Sequence, residues 1–303
     1  MKPRLSQTVF SSPINDGIKR WLLIAALLIA LCDSLAAQVA VPFNPFEPLP
    51  YDQAVRVRDI YERGKKLGNQ PNVFSKVGDS LTVSSTFFRP IGEGFYRLGD
   101  YGHLQAVIDF YSDTHLYTGN SFSNKSMAAG IGWAAAAALD PRISDAYLCN
   151  YNEMPLVCEY RLSKPSIAFI MFGTNDVGYV KPSLFRLDMQ RIIDVSSDMG
   201  VIPILSTIPP QFNRPEKIAQ FNDIIRDLAN TNDLPLWDYY VSMSVLDDGG
   251  ISEDGLHPSA PPEGYAFAAH FYLPYANYGY VVRNLTGLQM LYRLWSQLQT
   301  IPN

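Results

Sequence analysis

The chain is poor in histidine and cysteine, with four of one and three of the other among 303 residues. Cys149 and Cys158 have no neighbouring histidine, which makes them a poor metal site. Basic charge is also scarce, since the formal net charge is −5. Residues 1–37 hold Lys2, Arg4, Lys19 and Arg20 against Asp16 and Asp33, a net +2, so the remainder carries −7. A mildly acidic body argues against a nucleic-acid partner, whose phosphates require a basic face. No GxGxxG follows the first apolar run and no P-loop occurs, so the glycine-rich phosphate cradles are missing. Long apolar runs are missing too. The run from Trp21 to Leu31 has 11 residues, short of the ~20 that span a bilayer.

What is present begins with that run. Lys19-Arg20, the apolar stretch and Ser34-Leu35-Ala36-Ala37 have the order of a secretory signal peptide, so residues 1–37 are expected to be a leader. An uncleaved anchor is the alternative. Cys32 follows Leu31, whereas a lipoprotein signal wants a small residue there, so lipidation is not expected. The mature chain then has no membrane span. In an exported protein Cys149 and Cys158 suggest one disulfide. Residues 38–50 carry Pro42, Pro45, Pro48 and Pro50 and predict an extended linker or a surface strap. Residues 51–303 are expected to form one folded domain.

Apolar spacing predicts helices over 51–66, 183–199 and 215–230, and strands over 72–78, 104–111, 166–172, 201–206 and 234–240. An alanine run to Leu139 and the tail from 262 onward predict further helices. Strands alternating with helices predict a mostly parallel central sheet between two helical layers.

Three strand ends carry polar residues. Val73–Val77 runs into Gly78-Asp79-Ser80-Leu81, Ser166–Phe172 into Gly173-Thr174-Asn175-Asp176, and the last strand into a loop with Asp254-Gly255-Leu256-His257. In a parallel sheet these ends share one edge, where ligands bind in open α/β folds. Alone, Gly-Asp-Ser is ordinary turn chemistry. Together the residues have complementary tasks. A serine hydroxyl needs a base, an imidazole suits proton transfer near neutrality, and a carboxylate three residues ahead can hold its tautomer. Asn175 and backbone N–H groups of Ser80 and of a glycine, Gly132 first and Gly130 second, can donate to a developing oxyanion. Asp176 is expected to cap a helix. His115 and His270 lack such partners and are expected to be structural, while His103 lies beside Asp100 in an irregular stretch, with substrate contact the lesser alternative. Asn284-Leu285-Thr286 fits a glycosylation sequon in helical surroundings.

These ordered blocks resemble those of the SGNH (GDSL) hydrolase family over residues 70–260. The family's second block, Asn-x-Gly-x-x-Gly, is only approximated by Ser123-Asn124-Lys125-Ser126 and Gly130-Ile131-Gly132. The resemblance implies a flavodoxin-like three-layer α/β/α fold. It implies Ser80 as nucleophile, His257 as base, Asp254 as its orienter, and Ser80, Asn175 and Gly132 as the oxyanion hole. It implies hydrolysis, independent of metal or other cofactor, of esters, thioesters or acetylated sugars; with the leader, the expected substrate is a small-molecule ester, lipase-like or from an acetylated carbohydrate, cleaved outside the cytoplasm. A cell-envelope binding or scaffold protein without turnover is the rival reading. Oligomeric state is left open.

Overall fold

The computed structural model describes residues 44–299. The expected leader, Cys32 and the first part of the linker lie outside the described residues. Helix α1 (Tyr51–Lys66) leads into strand β1 (Gln70–Gly78), which ends in a single turn, α2 (Ser80–Val83). Next come α3 (Gln105–Ser112), α4 (Pro155–Ser163), β2 (Pro165–Met171), α5 (Pro182–Asp198), β3 (Ile202–Ser206), α6 (Pro215–Thr231), β4 (Leu236–Trp237) and α7 (Gly279–Gln299).

All four strands pair in parallel, in the order β1-β2-β3-β4. All seven residues of β2 are buried, as the continuous apolar pattern of a sheet covered on both faces requires. On the free edge of β1, Ala129 forms one parallel bridge with Gly78. Counting that bridge as a vestigial strand gives the doubly wound order 2-1-3-4-5, with its crevice beside the C-terminal end of β1. Helices α1, α4, α5 and α6 pack on one face, and α3 and α7 on the other. The second face holds an aromatic cluster in which Phe74 meets Phe88, Tyr111, Phe122 and Phe169 edge to face.

Three expectations are corrected. Residues 104–111 are not a strand, because α3 occupies Gln105–Ser112. Leu104, Val107, Ile108 and Tyr111 are buried at i, i+3, i+4 and i+7, which is one helical stripe. The alanine run makes only a 3-10 turn, Ala135–Leu139. The tail stays in short turns until α7 begins at Gly279. Of the proline-rich stretch, residues 44–50 are described, and they lie against α7. Arg293 donates to the Glu47 and Pro48 carbonyls at 2.9 and 3.0 Å, and Phe46 packs on His103 and Tyr292. Cys149 and Cys158 are bonded to each other with Cα atoms 5.3 Å apart.

Candidate active site

Gly78 ends β1 where space is tightest. A Cβ there would collide with Thr82 Oγ1 and the Met171 carbonyl, so the strand can turn sharply into α2 only with glycine. Asp79 caps that turn. It is fully buried, and its Oδ1 accepts the Leu81 N–H at 2.9 Å. Burial pushes the Asp79 carboxyl up to about 6, against the Leu81 N–H and the Arg283 charge, which favour its ionised form. Arg283 comes from the second turn of α7 and is itself fully buried. It donates to the Leu81 carbonyl, and its guanidinium lies 3.9 Å from the Phe87 ring centroid. Burial lowers its pKa, while Tyr239, Tyr280 and Asp79 oppose that. Ser80 therefore stands on a turn wedged between a buried carboxylate and a buried guanidinium.

The loop after β4 brings the partner groups. Ser80 Oγ lies 3.2 Å from His257 Nε2, and His257 Nδ1 lies 2.6 Å from Asp254 Oδ2. The Asp254 Oδ1 atom accepts the Leu256 and His257 N–H groups, both at 2.9 Å, and the Ser252 hydroxyl at 2.7 Å. Partial burial pushes Asp254 up, but these donors and the imidazole outweigh it and hold the carboxyl well below its usual range. Hydroxyl, imidazole and carboxylate in series can move a proton off Ser80 and stabilise the imidazolium that results.

Beyond β2, Gly173 adopts φ 124°, which L side chains rarely reach. Asp176 does not cap the turn it starts. Its carboxylate accepts the Gly173 and Ala135 N–H groups at 3.1 and 3.0 Å and so joins two loops. Burial raises it to about 6, opposed by these backbone donors. Asn175 Nδ2 donates to the Trp133 carbonyl at 2.9 Å, which leaves its second N–H available. The loop that holds the degenerate second block is thus tied to both strand ends. Several of its own donors are used. Met127 N–H goes to Glu159, Ala128 N–H to Ser126 and Gly130 N–H to the Gly78 carbonyl. Gly130 is therefore removed as an oxyanion donor. In this loop the Ser126, Ala129, Ile131 and Gly132 N–H groups have no partner among the described residues, and of these Ala129 bridges to Gly78 at the strand end. Gly132 is exposed at φ 75° with open space around it.

A cleft of about 710 Å³ opens beside this edge. Thr82, Val83, Ala129 and Trp133 line it, while Ser80 and His257 are not among its walls.

Sequence reasoning missed Arg283 and Glu159 and read Asn284 only as part of a sequon. Asn284 is no glycosylation acceptor in this fold. It is fully buried, and it holds the Phe88 N–H and the Thr86 and Ala268 carbonyls at 2.8–2.9 Å. Glu159, 2% exposed, accepts from Ser75, Ser163 and Met127. A buried polar group in an apolar pattern was the available signal in each case. His103 packs against Phe46 and Tyr292, and His270 against Phe267 and Tyr275.

The model of the GDSL-like lipase/acylhydrolase family matches residues 77–266, and the chain belongs to that family. A Bacillus subtilis (strain 168) protein named uncharacterized lipoprotein YqeF is 29% identical over 123 residues, 31% of this chain and 51% of that protein. The chain thus spans about half the length of the curated relative it matches. Among solved structures, a carbohydrate esterase family 3 protein from Talaromyces cellulolyticus is 18% identical with TM-score 0.45, covering 71% of this chain and 97% of that one. A catalytic mutant of the acetylxylan esterase Axe2 from Geobacillus stearothermophilus is 14% identical with TM-score 0.44, covering 72% and 93%. A lipase/acylhydrolase from Enterococcus faecalis is 19% identical with TM-score 0.42, covering 71% and 95%.

Proposed function

We propose that the protein is an exported ester hydrolase in which Ser80, His257 and Asp254 act as a triad. The observation that carries this is the unbroken contact series from Ser80 Oγ through the imidazole to Asp254. Ser80 Oγ attacks the acyl carbonyl while His257 Nε2 takes its proton. Asp254, held ionised by four donors, keeps Nδ1 protonated and faces the imidazolium. The oxyanion is held by the Ser80 N–H and the free Asn175 amide proton. A third donor is the Ala129 N–H, which sits opposite Gly78 on the cleft wall and competes with Gly132 for this role. Collapse breaks the ester C–O bond, and the imidazolium returns the proton to the leaving alkoxide. Water, deprotonated by His257, then frees the acyl group and restores Ser80.

Two substrate readings stand, a lipase-like ester and an O-acetylated carbohydrate. Export is supported by the leader pattern of residues 1–37 and by the disulfide. A lipoprotein name on the B. subtilis relative points the same way. Residues 44–50 serve as a strap, and residues 51–303 as the hydrolase domain. Among the described residues no helix is long and apolar enough to cross a membrane.

The test is turnover of 4-nitrophenyl acetate and longer-chain esters by purified protein, with release of acetate from acetylated polysaccharide as the second arm. Equal turnover by wild type and Ser80→Ala would remove Ser80 as nucleophile. A fluorophosphonate probe that leaves Ser80 unlabelled would favour the scaffold reading.

A further inference from the structure

The cleft beside Ser80 is large enough for a small-molecule ligand, and its charges are unevenly satisfied. Five charged side chains line it. Arg89 is paired with Glu93 at 2.7 Å, so those two cancel. The Asp145 carboxylate accepts the Tyr147 and Leu148 N–H groups, both at 2.9 Å. Asp145 keeps its negative charge, so once Arg89 and Glu93 cancel, Lys76, Lys125 and Asp145 leave the lining net +1. Among the described residues neither Lys76 nor Lys125 has a carboxylate within ion-pair distance, and Lys125 is exposed at the rim.

Lys76 is the unusual one. It lies on β1 two residues before Gly78, is only 7% exposed, and has one hydrogen-bond acceptor, the Phe122 carbonyl at 2.6 Å. An ammonium has three donors, so two have no partner among the described residues, in a wall of the cleft. A buried lysine without a counter-ion is costly unless something else supplies the charge. Ser123 and Ser126 add hydroxyls to the same wall, and Phe87 and Trp133 supply its apolar surface.

We propose that this cleft recognises a negative charge on the ester, a carboxylate or phosphate carried by its acyl or alcohol part, with Lys76 at the floor and Lys125 at the rim. This rests on the ester-hydrolase reading for what happens after binding, but the binding itself does not. Burial pulls the Lys76 amine down to about 7. The Glu159 charge opposes this, and the Arg283 and Arg89 charges add to it. An arriving anion favours the ammonium, so binding takes up a proton near neutral pH and weakens as pH rises above 7.

Matched ester pairs test this. On the acyl side they are 4-nitrophenyl acetate and 4-nitrophenyl hemisuccinate. On the alcohol side they are O-acetylated methyl glucoside and O-acetylated methyl glucuronate. Wild type is expected to favour the anionic member of at least one pair by about tenfold in kcat/KM, the scale of one charge-assisted hydrogen bond. In Lys76→Met that ratio falls towards one, and in Lys125→Ala it falls by less. Equal handling of both members in both pairs overturns the proposal, as does a preference that survives both substitutions. Calorimetric binding of the same esters to Ser80→Ala separates the two readings and needs no Lys76 variant to fold. Anion-selective binding without wild-type turnover upholds the cleft and sinks the hydrolase. Ser80-dependent turnover with no anion selectivity does the reverse.

Discussion

The two halves of the candidate triad are built in opposite ways. The Ser80 turn is seated in the core. Asp79 is fully buried beneath it, and Arg283 reaches it from about 200 residues away in the sequence. The His257 loop is nearly all local. Its bonds join residues two to five apart, and the Asp254 and His257 side chains are 50% and 37% exposed. Their carboxylates are tuned in opposite directions as well, Asp79 upward by burial and Asp254 downward by donors. A nucleophile must not move, so it is fixed by packing. A base must rotate between two oxygens, so it is fixed by hydrogen bonds that water can share.

Substitutions in the exposed half should remove activity and spare the fold. His257→Ala should lower kcat on 4-nitrophenyl acetate by on the order of 10⁶, as loss of a triad histidine does elsewhere. Its thermal midpoint should stay within a few degrees of wild type. Asp254→Asn should cost about 10⁴ in kcat through the wrong tautomer, again with little change in the melt. A large fall in melting temperature for either would break the comparison.

Substitutions in the buried half should do the converse. Arg283→Met removes one of two facing buried charges, which costs about 3–5 kcal/mol. In urea the midpoint should fall with an unchanged slope. The double variant Arg283→Met/Asp79→Asn should recover part of that loss, because no buried charge is then left alone. Additive effects would show that the two groups do not sense each other.

The same contrast decides what could be read beforehand. The Asp254-x-x-His257 spacing was legible because its contacts are local, and so was Gly78-Asp79-Ser80. Helix α1, with bounds at Tyr51 and Lys66, was legible from its apolar spacing. Arg283 was not, since nothing in α7 marks which of its neighbours faces a turn near residue 80. Ala129 was not either, because a backbone N–H has no side-chain signature. Its availability shows only once Met127, Ala128 and Gly130 are seen to use theirs. Residues 104–111 went wrong for another reason. A short apolar run fits either period, and β-branched Val107 and Ile108 favour a strand until tertiary packing selects the helical stripe.

The smallest effect expected is in the pH dependence of stability, and there the two halves should differ in sign. Asp79 titrates near 6 when folded and near 4 when unfolded. Between those values the folded state binds the extra proton, so its contribution to stability is complete below pH ~4 and is lost as pH rises through about 6. Asp254 is the opposite case. Its folded pKa is depressed, so its contribution is present above pH ~4 and is lost as pH falls below that. Urea titrations from pH 3 to 7 can separate them. Asp79→Asn should flatten the decline between pH 4 and 6 while keeping a side-chain cap on α2. Asp176, also near 6, should leave part of that decline in place. Asp254→Asn should flatten only the acid limb, and by less, because water screens an exposed pair. If both variants altered the same limb, the two carboxylates would not be tuned in opposite senses, and the division into a packed half and a solvated half would fail.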